Sequence, residues 1–408
     1  MADPRPLEAF REEARAWLMA NADPAPARDT QWGVGSDSVA VFRDETDAEA
    51  AASVAAACAW HRRKLDHGWA ALTWPVELGG RALPARYERA FDDEESQFAV
   101  PPVPEAVTIT LKLVAPTIAV HGTPEQLRQL IPALLRTDAL SCQLFSEPEA
   151  GSDLASLTCR ARRQGDGWCI QGQKVWTSGA RQCSFGLLIA RSDPTAPKHR
   201  GMTAFLVPLD CEGVEIRAIR QMTGGASFNE VFFDDVFVSD SLRIGADGDG
   251  WSVARTTLGF ERGVSGDGAG GAGAPLDQVL ALARHIGLPD PNARQELAQL
   301  YARTSILSIT NERMRSALAA DQEPGPVGST SKLFWTQNLA AASDFASRVL
   351  GPRLVADTGE WGTYAWREHV LGAPGYRIAG GSDEIQRNII GERVLGLPRE
   401  PPEQPPIR

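Results

Sequence analysis

Apolar residues recur at helical spacing through the first third of the chain. The clearest set comprises Leu7, Phe10, Ala14, Trp17 and Leu18. This spacing of 3.6 residues per turn predicts an amphipathic helix, and the Ala-rich stretch 48–60 has strong helix propensity. The polar segment 22–45 between them, interrupted by Pro and Gly, predicts a long loop. Further along, Thr123 followed by Pro124 has the form of a helix N-cap and first helical residue.

The pattern changes between about 140 and 245, where short strand-forming runs alternate with turn residues. These runs are SCQLF, GWCIQGQKVW, FGLLIA, MTAFLVPL, VEIRAI and EVFFDDVFV. Gly165-Asp166-Gly167 predicts a hairpin turn. Helical periodicity returns after Trp251, and the tail from Pro398 to Arg408 contains five prolines. With so little to bury, the tail is predicted to be an extended arm or disordered.

Length agrees with this order of elements. A chain of 408 residues with 43% hydrophobic residues has material for two or three domains. We therefore predict an α+β fold with three domains and a tail. The predicted bounds are 1–139 for an N-terminal helical domain, 140–245 for a middle β domain, 246–397 for a C-terminal helical bundle and 398–408 for the Pro-rich tail.

Charge and cysteine usage exclude several classes of function. A net charge of −11 without a long basic run argues against binding to nucleic acid or to an anionic membrane. The six cysteines form no CxxC pair and the six histidines show no ligand spacing, so no metal site is predicted. Buried reduced thiols are favoured over disulfides. The first residues, MADPRPLEAFREE, lack the apolar core of a signal peptide. No stretch approaches the roughly 18 apolar residues of a membrane span, so we expect a cytoplasmic protein.

Two segments concentrate the residues that can carry chemistry. Residues 145–153 read FSEPEAGSD, and residues 172–180 read GQKVWTSGA. Hydroxyls and exposed backbone N–H groups at a strand end suit a heteroaromatic ring or a phosphate. Taken singly, the first segment is explained equally well by a Ser that caps a strand exit, and the second by a core Trp. Their occurrence together in one small β domain favours a cofactor site.

Both segments resemble motifs of the acyl-CoA dehydrogenase family. The similarity continues, in the family's order, through GWAALTWPVELGG at 68–80, NEVFFDD at 229–235, GFERG at 259–263 and GGSDEIQRNIIGERVLGLPR at 380–399. The resemblance implies an acyl-CoA dehydrogenase-like fold, in which the middle domain is β-barrel-like. It also implies FAD as cofactor and removal of hydrogens from Cα and Cβ of an acyl-CoA. A carboxylate takes the α-proton, and the β-hydrogen passes to flavin N5 as a hydride.

Family positions assign roles to residues of this chain. The implied flavin contacts are Phe145, Ser146, Trp176, Thr177 and Ser178, with Trp176 against the isoalloxazine ring. Ser152 matches a position near the thioester or pantetheine, and Arg262 matches one that contacts CoA. Local caps and a solvated charge are the alternatives for the hydroxyls and for Arg262.

Two further positions correspond to contacts with FAD across a subunit interface. Arg284 stands in Arg284-His285-Ile286-Gly287, one residue shorter than the family's Arg-x-x-Phe-Gly, whose Arg touches the pyrophosphate. Gly351 stands in Val349-Leu350-Gly351-Pro352, where the family usually has Gly-Gly. These departures leave both a homo-dimer or tetramer and a heteromer with a related subunit open.

The catalytic base is predicted at an alternative position. Gly380 occupies the place where many family members carry the catalytic Glu, and we assign it to the substrate pocket. Other members carry the base in an L-x-x-E-R helix, which residues 258–262 match as LGFER. The resemblance therefore makes Glu261 the candidate base. A structural Glu paired with Arg255 or Arg262 is the alternative.

Six glycines follow this motif between Gly263 and Gly273. Each interior helical Gly costs about 1 kcal/mol relative to Ala. We therefore predict a break or mobile loop near 263–275. As a hypothesis, the break widens the pocket for a bulky or branched acyl group.

The predicted function is FAD-dependent α,β-dehydrogenation of an acyl-CoA, with an electron-transfer flavoprotein or similar acceptor as partner. One alternative is a non-catalytic or half-site subunit of a heteromeric acyl-CoA dehydrogenase. Another is a related flavoenzyme that acts on a non-CoA substrate. The acyl group, and the choice between CoA and an acyl-carrier protein, stay open at this point.

Overall fold

The computed structural model describes residues 6–26, 32–42, 44–266, 276–288, 290–319 and 325–399. These residues form two compact units. The first unit contains 6–26, 42, 44–261 and 319, and the second contains 32–41, 262–266, 276–288, 290–318 and 325–399. Each unit has its own hydrophobic core.

Helices occupy the first part of the first unit, as predicted. They are α1 Leu7–Asn21, α2 Asp47–Asp66, α3 Ala85–Glu95, α4 Glu105–Thr108, α5 Ala115–His121 and α6 Pro124–Leu135, and a π-helical segment, Ile109–Val114, joins α4 to α5. The predicted start of α6 is confirmed by a capping box. Thr123 Oγ1 accepts a hydrogen bond from Gln126 N at 3.2 Å, and Gln126 Oε1 accepts one from Thr123 N at 2.8 Å.

One eight-stranded sheet follows in the same unit. Its strands are β1 Ser141–Leu144, β2 Arg160–Gln164, β3 Gly167–Ser178, β4 Phe185–Arg191, β5 Met202–Pro208, β6 Val214–Ile219, β7 Phe228–Ser239 and β8 Arg243–Ile244. The order is β6-β7-β3-β2-β4-β5-β8, and β1 runs parallel beside β4. All six predicted strand runs are strands. The predicted hairpin joins β2 to β3, where Gln164 pairs with Gly167 and Gly165 takes φ +59°. Glycine suits this positive φ because it has no Cβ.

The sheet separates two apolar cores. Along β4, Leu188 and Ala190 lie in a core formed with β3, β5 and β7. Leu187 and Ile189 point to the opposite face, as the two-residue period of a strand requires. There they pack in what we call the helix-facing core. Its other members include Ile118, Ile131, Leu134, Phe145, Ala150, Val253 and Ala254. This core connects the exit of β1 to the helices.

The second unit is helical. Its helices are α8 Leu276–Ile286, α9 Pro291–Ala319, α10 Gly328–Leu350, α11 Trp366–Tyr376 and α12 Asp383–Ile389. Leu282, Phe345 and Trp366 are buried at its centre. Residues 32–41 also belong to this unit. Val39 lies in the same core, and the Gly35 carbonyl accepts a 3.0 Å hydrogen bond from Trp361 Nε1.

A further helix, α7 Gly250–Gly266, tests part of the predicted glycine break. The helix continues through Gly263 and Gly266, so the predicted interruption is wrong over 263–266. The buried residues Val253, Ala254 and Thr257 anchor the preceding turns, and propagation of an established helix adds one hydrogen bond per residue. The rest of the predicted break, 267–275, lies outside the described residues.

Two smaller predictions, on membrane spans and on cysteines, can be compared with the structure, and a third, on the tail, cannot. Among the described residues, no helix combines the length and apolar character needed to cross a bilayer. All six cysteines are free thiols, four of them buried, as predicted. The Pro-rich tail falls outside the described residues from position 400 onward.

Candidate active site

Two strand ends that carry the predicted cofactor residues meet in the first unit. Strand β1 ends at Leu144, the buried side chain of Phe145 enters the helix-facing core, and Ser146 follows half-buried. The carbonyl of Ser146 accepts a 2.9 Å hydrogen bond from the backbone N–H of Val175, near the end of β3. Ser146 and the stretch Trp176–Ser178 are therefore neighbours, although 30 residues separate Ser146 from Trp176 in the sequence.

Trp176 lies in a β-bulge with its ring turned to solvent. Lys174 pairs with Val231 and Thr177 pairs with Asn229, so β3 has one residue more than β7 at this point. Trp176 takes φ +60°, which is unusual for a residue with a Cβ, and its side chain is 59% exposed. The bulge thus presents a large aromatic face at the end of the strand.

The two hydroxyl residues after Trp176 differ in burial. Thr177 is buried, and its Oγ1 has no hydrogen-bond partner in the described part of the chain. Its carbonyl accepts a 2.9 Å hydrogen bond from Asn229 Nδ2 on β7. Ser178 is half-buried at the last position of β3. This strand end therefore carries one hydroxyl in need of a partner beside an exposed ring.

A buried ion pair lies beneath these residues, and sequence reasoning did not predict it. Lys174 Nζ lies 2.8 Å from Glu147 Oε1 and donates a 3.0 Å hydrogen bond to the Phe145 carbonyl. Burial alone would raise the pKa of the Glu147 carboxyl. The charge of Lys174 and the hydrogen bonds from Thr158 and Cys159 outweigh it, so this pKa is lowered and Glu147 is ionised at neutral pH. The sequence offered one clue to this ion pair, because each of the two motifs contains one of its charged residues: Glu147 in FSEPEAGSD and Lys174 in GQKVWTSGA.

Ser152 lies on an exposed turn beyond Glu147. The backbones of Glu147 and Ala150 exchange hydrogen bonds of 2.9 and 3.1 Å, which close the turn that leads to Ser152. The following residue, Asp153, forms an ion pair with Lys198 and accepts a hydrogen bond from Ser156 Oγ. Ser152 is thus accessible, on a turn fixed on both sides.

Glu261, the predicted base, is half-buried on α7. Ala254, Thr257 and Leu258 precede it by seven, four and three residues, so they share its face of the helix. Ala254 and Leu258 pack in the helix-facing core that also contains Phe145, and Thr257 is fully buried. Glu261 therefore continues the core-facing side of α7 by one turn. The side chain of Arg262 lies outside the described residues.

Gly380 lies in a tightly held turn of the second unit. It takes φ +65° and is followed by Gly381 at φ +84°. The Gly380 carbonyl accepts a 2.9 Å hydrogen bond from Gln386 Nε2, and the Gly381 carbonyl accepts a 2.7 Å bond from Lys332 Nζ. A side chain at position 380 would strain this left-handed backbone.

The two carboxylates after Gly380 are engaged elsewhere. Asp383 is buried, and it accepts hydrogen bonds from Arg377 Nε at 2.9 Å and Thr336 Oγ1 at 2.7 Å. Glu384 is exposed and pairs with Arg387 at 3.1 Å. Because both carboxylates already have partners, neither takes the place of the catalytic Glu that many family members carry at the position of Gly380.

Arg284 and Gly351 both lie near one core cluster of the second unit. Arg284 is exposed in the last turn of α8, and the preceding Ala283 is buried. Gly351 follows α10 with φ 51° and ψ −123°, a conformation open essentially to glycine. Leu350, just before it, packs in the same cluster as Ala283.

Comparison with known proteins places the chain in a family. Models of the N-terminal, middle and C-terminal domains of acyl-CoA dehydrogenase match residues 7–138, 142–236 and 248–395. The Mycobacterium tuberculosis protein named acyl-CoA dehydrogenase IpdE1 is 39% identical over 400 residues, which cover 97% of this chain and 98% of the relative. The chain belongs to the acyl-CoA dehydrogenase family.

Solved structures of acyl-CoA dehydrogenases share its fold. The structure of the Tcur3481-Tcur3483 steroid ACAD matches with a TM-score of 0.74 at 27% identity, over 98% of this chain and 100% of that one. The ChsE4-ChsE5 complex from Mycobacterium tuberculosis matches with a TM-score of 0.70 at 26% identity, over 98% and 99%. The predicted acyl-CoA dehydrogenase-like fold, with helices on either side of a β region in the sequence, is confirmed.

As an acyl-CoA dehydrogenase, the protein is an FAD-dependent oxidoreductase that acts on a CH–CH bond of an acyl-CoA. The side chains at the strand ends of the first unit have the chemistry that FAD binding needs. The exposed Trp176 ring offers a face for a flat heterocycle, and the buried Thr177 hydroxyl lacks a protein partner among the described residues. The same part of the chain contains no cluster of residues that could hold a metal ion.

Proposed function

We propose that Glu261 is the base that removes the α-proton of the acyl-CoA thioester. The proposal is carried by the position of Glu261 on the core-facing side of α7, one turn beyond Leu258. Leu258 packs against the core that contains Phe145. The constraint on Gly380 supports it, because a carboxylate at that position would strain the backbone. Bound FAD supplies a hydride acceptor for the β-hydrogen.

In this proposal, the other predicted site residues bind and orient the flavin and the substrate. Phe145, Ser146, Trp176, Thr177 and Ser178 hold the flavin, with the Trp176 ring against its face. Ser152 and Arg262 hold the CoA portion of the substrate, and Gly380 lines the acyl pocket. Arg284 and Gly351 contribute to FAD binding across a subunit interface. The accessibility of Ser152 and the exposed Trp176 ring support these roles.

We further propose a bulky or branched acyl group. The predicted glycine break does not support it, because α7 continues through Gly266, but the similar solved structures do. The similar Tcur3481-Tcur3483 protein is a steroid ACAD, and a ring-bearing acyl-CoA is the corresponding substrate class for this chain. That protein and the ChsE4-ChsE5 complex are each named for two components. A heteromer with a related subunit is accordingly the assembly we favour over a homo-dimer or tetramer. An electron-transfer flavoprotein or similar acceptor in the cytoplasm completes the proposal.

The test replaces Glu261 with Gln in the FAD-loaded protein. Gln keeps the size of the side chain but cannot accept the proton, so bleaching of the flavin absorbance by a reactive acyl-CoA should slow at least about 100-fold. Stopped-flow absorbance under anaerobic conditions measures this rate over a panel of straight, branched and ring-bearing thioesters. FAD content per chain should not change.

Glu384→Gln is the matched control, because Glu384 is exposed and paired with Arg387. This control should bleach at the wild-type rate. Wild-type bleaching by Glu261→Gln would remove Glu261 from the role of base. The half-site alternative predicts instead that the wild-type chain alone is not bleached by any thioester and becomes reactive only with its partner subunit.

A further inference from the structure

Lys174 and Glu147 form an almost fully buried ion pair beside the predicted flavin residues. The side chain of Lys174 is 0% exposed and that of Glu147 is 5% exposed. Lys174 Nζ donates to Phe145 O and Glu147 Oε1. The carboxylate also accepts hydrogen bonds from Thr158 N at 2.6 Å, Thr158 Oγ1 at 2.9 Å and Cys159 N at 2.9 Å.

These contacts join three segments of the chain, which are residues 145–147, residues 158–159 and Lys174 on β3. The Phe145 carbonyl and the Glu147 carboxylate, on either side of Ser146, are both held by Lys174 Nζ. Ser146 itself accepts the backbone bond from Val175, the residue after Lys174. Trp176, in the bulge, is two residues beyond Lys174. The pair therefore sets the relative position of the Ser146 exit and the Trp176 bulge.

Stability alone does not explain why charges occupy this site. Taking a lysine and a glutamate out of water costs free energy that their attraction only partly offsets, and apolar side chains of similar volume often stabilise a protein equally well. Apolar packing is non-directional, whereas a charged pair with defined donors and acceptors specifies one arrangement. What the pair specifies here is the geometry of two strand ends.

We propose that Lys174 and Glu147 are positioning residues that hold Ser146 and Trp176 in the arrangement that binds the flavin. The proposal rests on the function proposed above, in which these strand ends carry the cofactor. Neither Lys174 nor Glu147 touches the substrate or transfers a proton in this scheme. Their effect on the reaction passes through Ser146 and Trp176.

The experiment compares Lys174→Met, Glu147→Gln and the double variant as full-length chains. Each single variant leaves an uncompensated buried polar or charged group, so its Tm should fall. The double variant removes both charges and should recover much of that Tm. FAD affinity, measured by quenching of flavin fluorescence well below the lowest Tm, should stay about tenfold or more weaker in all three variants.

Glu94→Gln supplies the control for a loss of stability without a change at the strand ends. Glu94 is a buried carboxylate that pairs with Arg11 and Arg15 between α1 and α3. This variant should lower Tm and leave the FAD dissociation constant unchanged. The visible absorption bands of bound flavin, which report its surroundings, should shift in the Lys174 and Glu147 variants and not in Glu94→Gln.

The outcomes separate positioning from simple structural support. The proposal is supported if the Lys174 and Glu147 variants bind FAD more weakly than Glu94→Gln does at an equal loss of Tm, and if their flavin absorption bands are shifted. FAD affinity that returns to wild type in the double variant, or that merely follows Tm as in Glu94→Gln, overturns it. Failure of the base assignment is distinguishable, because it appears as thioester bleaching in Glu261→Gln and leaves FAD binding intact.

Discussion

Trp176 shows how neighbouring bonds can impose an unfavourable backbone on one residue. A left-handed conformation costs a residue with a Cβ about 1–2 kcal/mol. The backbone bond from Val175 to Ser146 fixes the chain on one side of Trp176, and the bond from Asn229 to Thr177 fixes it on the other. The bulge is thus over-determined, and its result is an indole ring that is 59% exposed. Conformations of this kind concentrate at functional sites.

Replacing Trp176 with Gly should separate cofactor binding from fold stability. Gly accepts φ +60° without strain, and the lost side chain is mostly exposed, so Tm should change by little. Loss of the ring face should weaken FAD binding about tenfold, as removal of an aromatic stacking partner does in other sites. A fluorescence titration with FAD and a thermal melt of the apoprotein measure the two quantities.

Phe237→Ala is the control for this prediction. Phe237 is an aromatic side chain on β7 that is 48% exposed and pairs with Cys169, away from the Trp176 bulge. Its removal should leave the FAD dissociation constant unchanged. Equal FAD affinity in wild type and Trp176→Gly would show that the ring takes no part in cofactor binding.

At the residue scale, the sequence pointed to two contiguous motifs but not to a contact between residues far apart in the chain. Ser146 and Trp176 were named from the polar ends of two strands, and the structure brings those ends together. The Lys174–Glu147 pair was missed because 27 residues separate its members, and their contact depends on the register of β3 against the exit of β1. Local periodicity carries no information about that register.

At the scale of elements, local chemistry was the best guide. The cap at Thr123 and the hairpin at Gly165 depend on neighbouring residues only, and both were predicted. Strand β2 was missed because its sequence, RARRQ, has a single apolar residue, and β8 because it has two residues. The continuation of α7 through Gly266 was missed because the turns before it are anchored by tertiary burial. The predicted domain bounds stay predictions.

The contact between α10 and α11 predicts a pH-dependent stability. His369 on α11 is buried, and its Nδ1 lies 3.0 Å from the hydroxyl of Ser343 on α10. That hydroxyl donates to Leu339 O, so it accepts a hydrogen bond from the Nδ1–H group of His369. Nε2 has no hydrogen-bond partner within the described ranges. Protonation would bury a charge there, and burial lowers the pKa of His369 to about 4.

The sign of the effect follows from the proton balance. The unfolded chain binds a proton near the ordinary histidine pKa of about 6.5, whereas the folded chain does not until about 4. Stability from neutral His369 is therefore complete above pH 6.5 and is lost as the pH falls toward 4. Between pH 7 and pH 5 the loss should be about 2 kcal/mol.

His369→Leu tests this expectation, since Leu has no titratable group. Unfolding free energies from urea titrations at pH 7 and pH 5 should show wild type losing about 2 kcal/mol more than the variant. Comparing the two proteins cancels the contribution of His61, another histidine whose pKa burial lowers to about 4. Equal losses in both proteins would mean that His369 is not held neutral in the folded state.

At the scale of the whole molecule, the exposed apolar residues of α9 bear on the proposed assembly. Ile306 is 50% exposed and Ile309 is 63% exposed, and Tyr301 on the same helix is also exposed. Single exposed apolar side chains are ordinary, but a group on one helix is typical of a surface that a partner covers. This surface belongs to the second unit, which also contains Arg284 and Gly351, the residues proposed to act across a subunit interface.

We predict that α9 contributes to the contact between subunits. The double substitution Ile306→Glu and Ile309→Glu places two carboxylates on the exposed surface, so it should lower the assembly mass measured by light scattering after size exclusion. Helix content by circular dichroism should not change, because both side chains are largely outside the core.

Val76→Glu, on an exposed valine of the first unit, is the control and should keep the wild-type mass. A double variant that also keeps that mass would place the interface elsewhere. Lower mass with weaker FAD binding would link assembly to the cofactor, as the roles proposed for Arg284 and Gly351 predict.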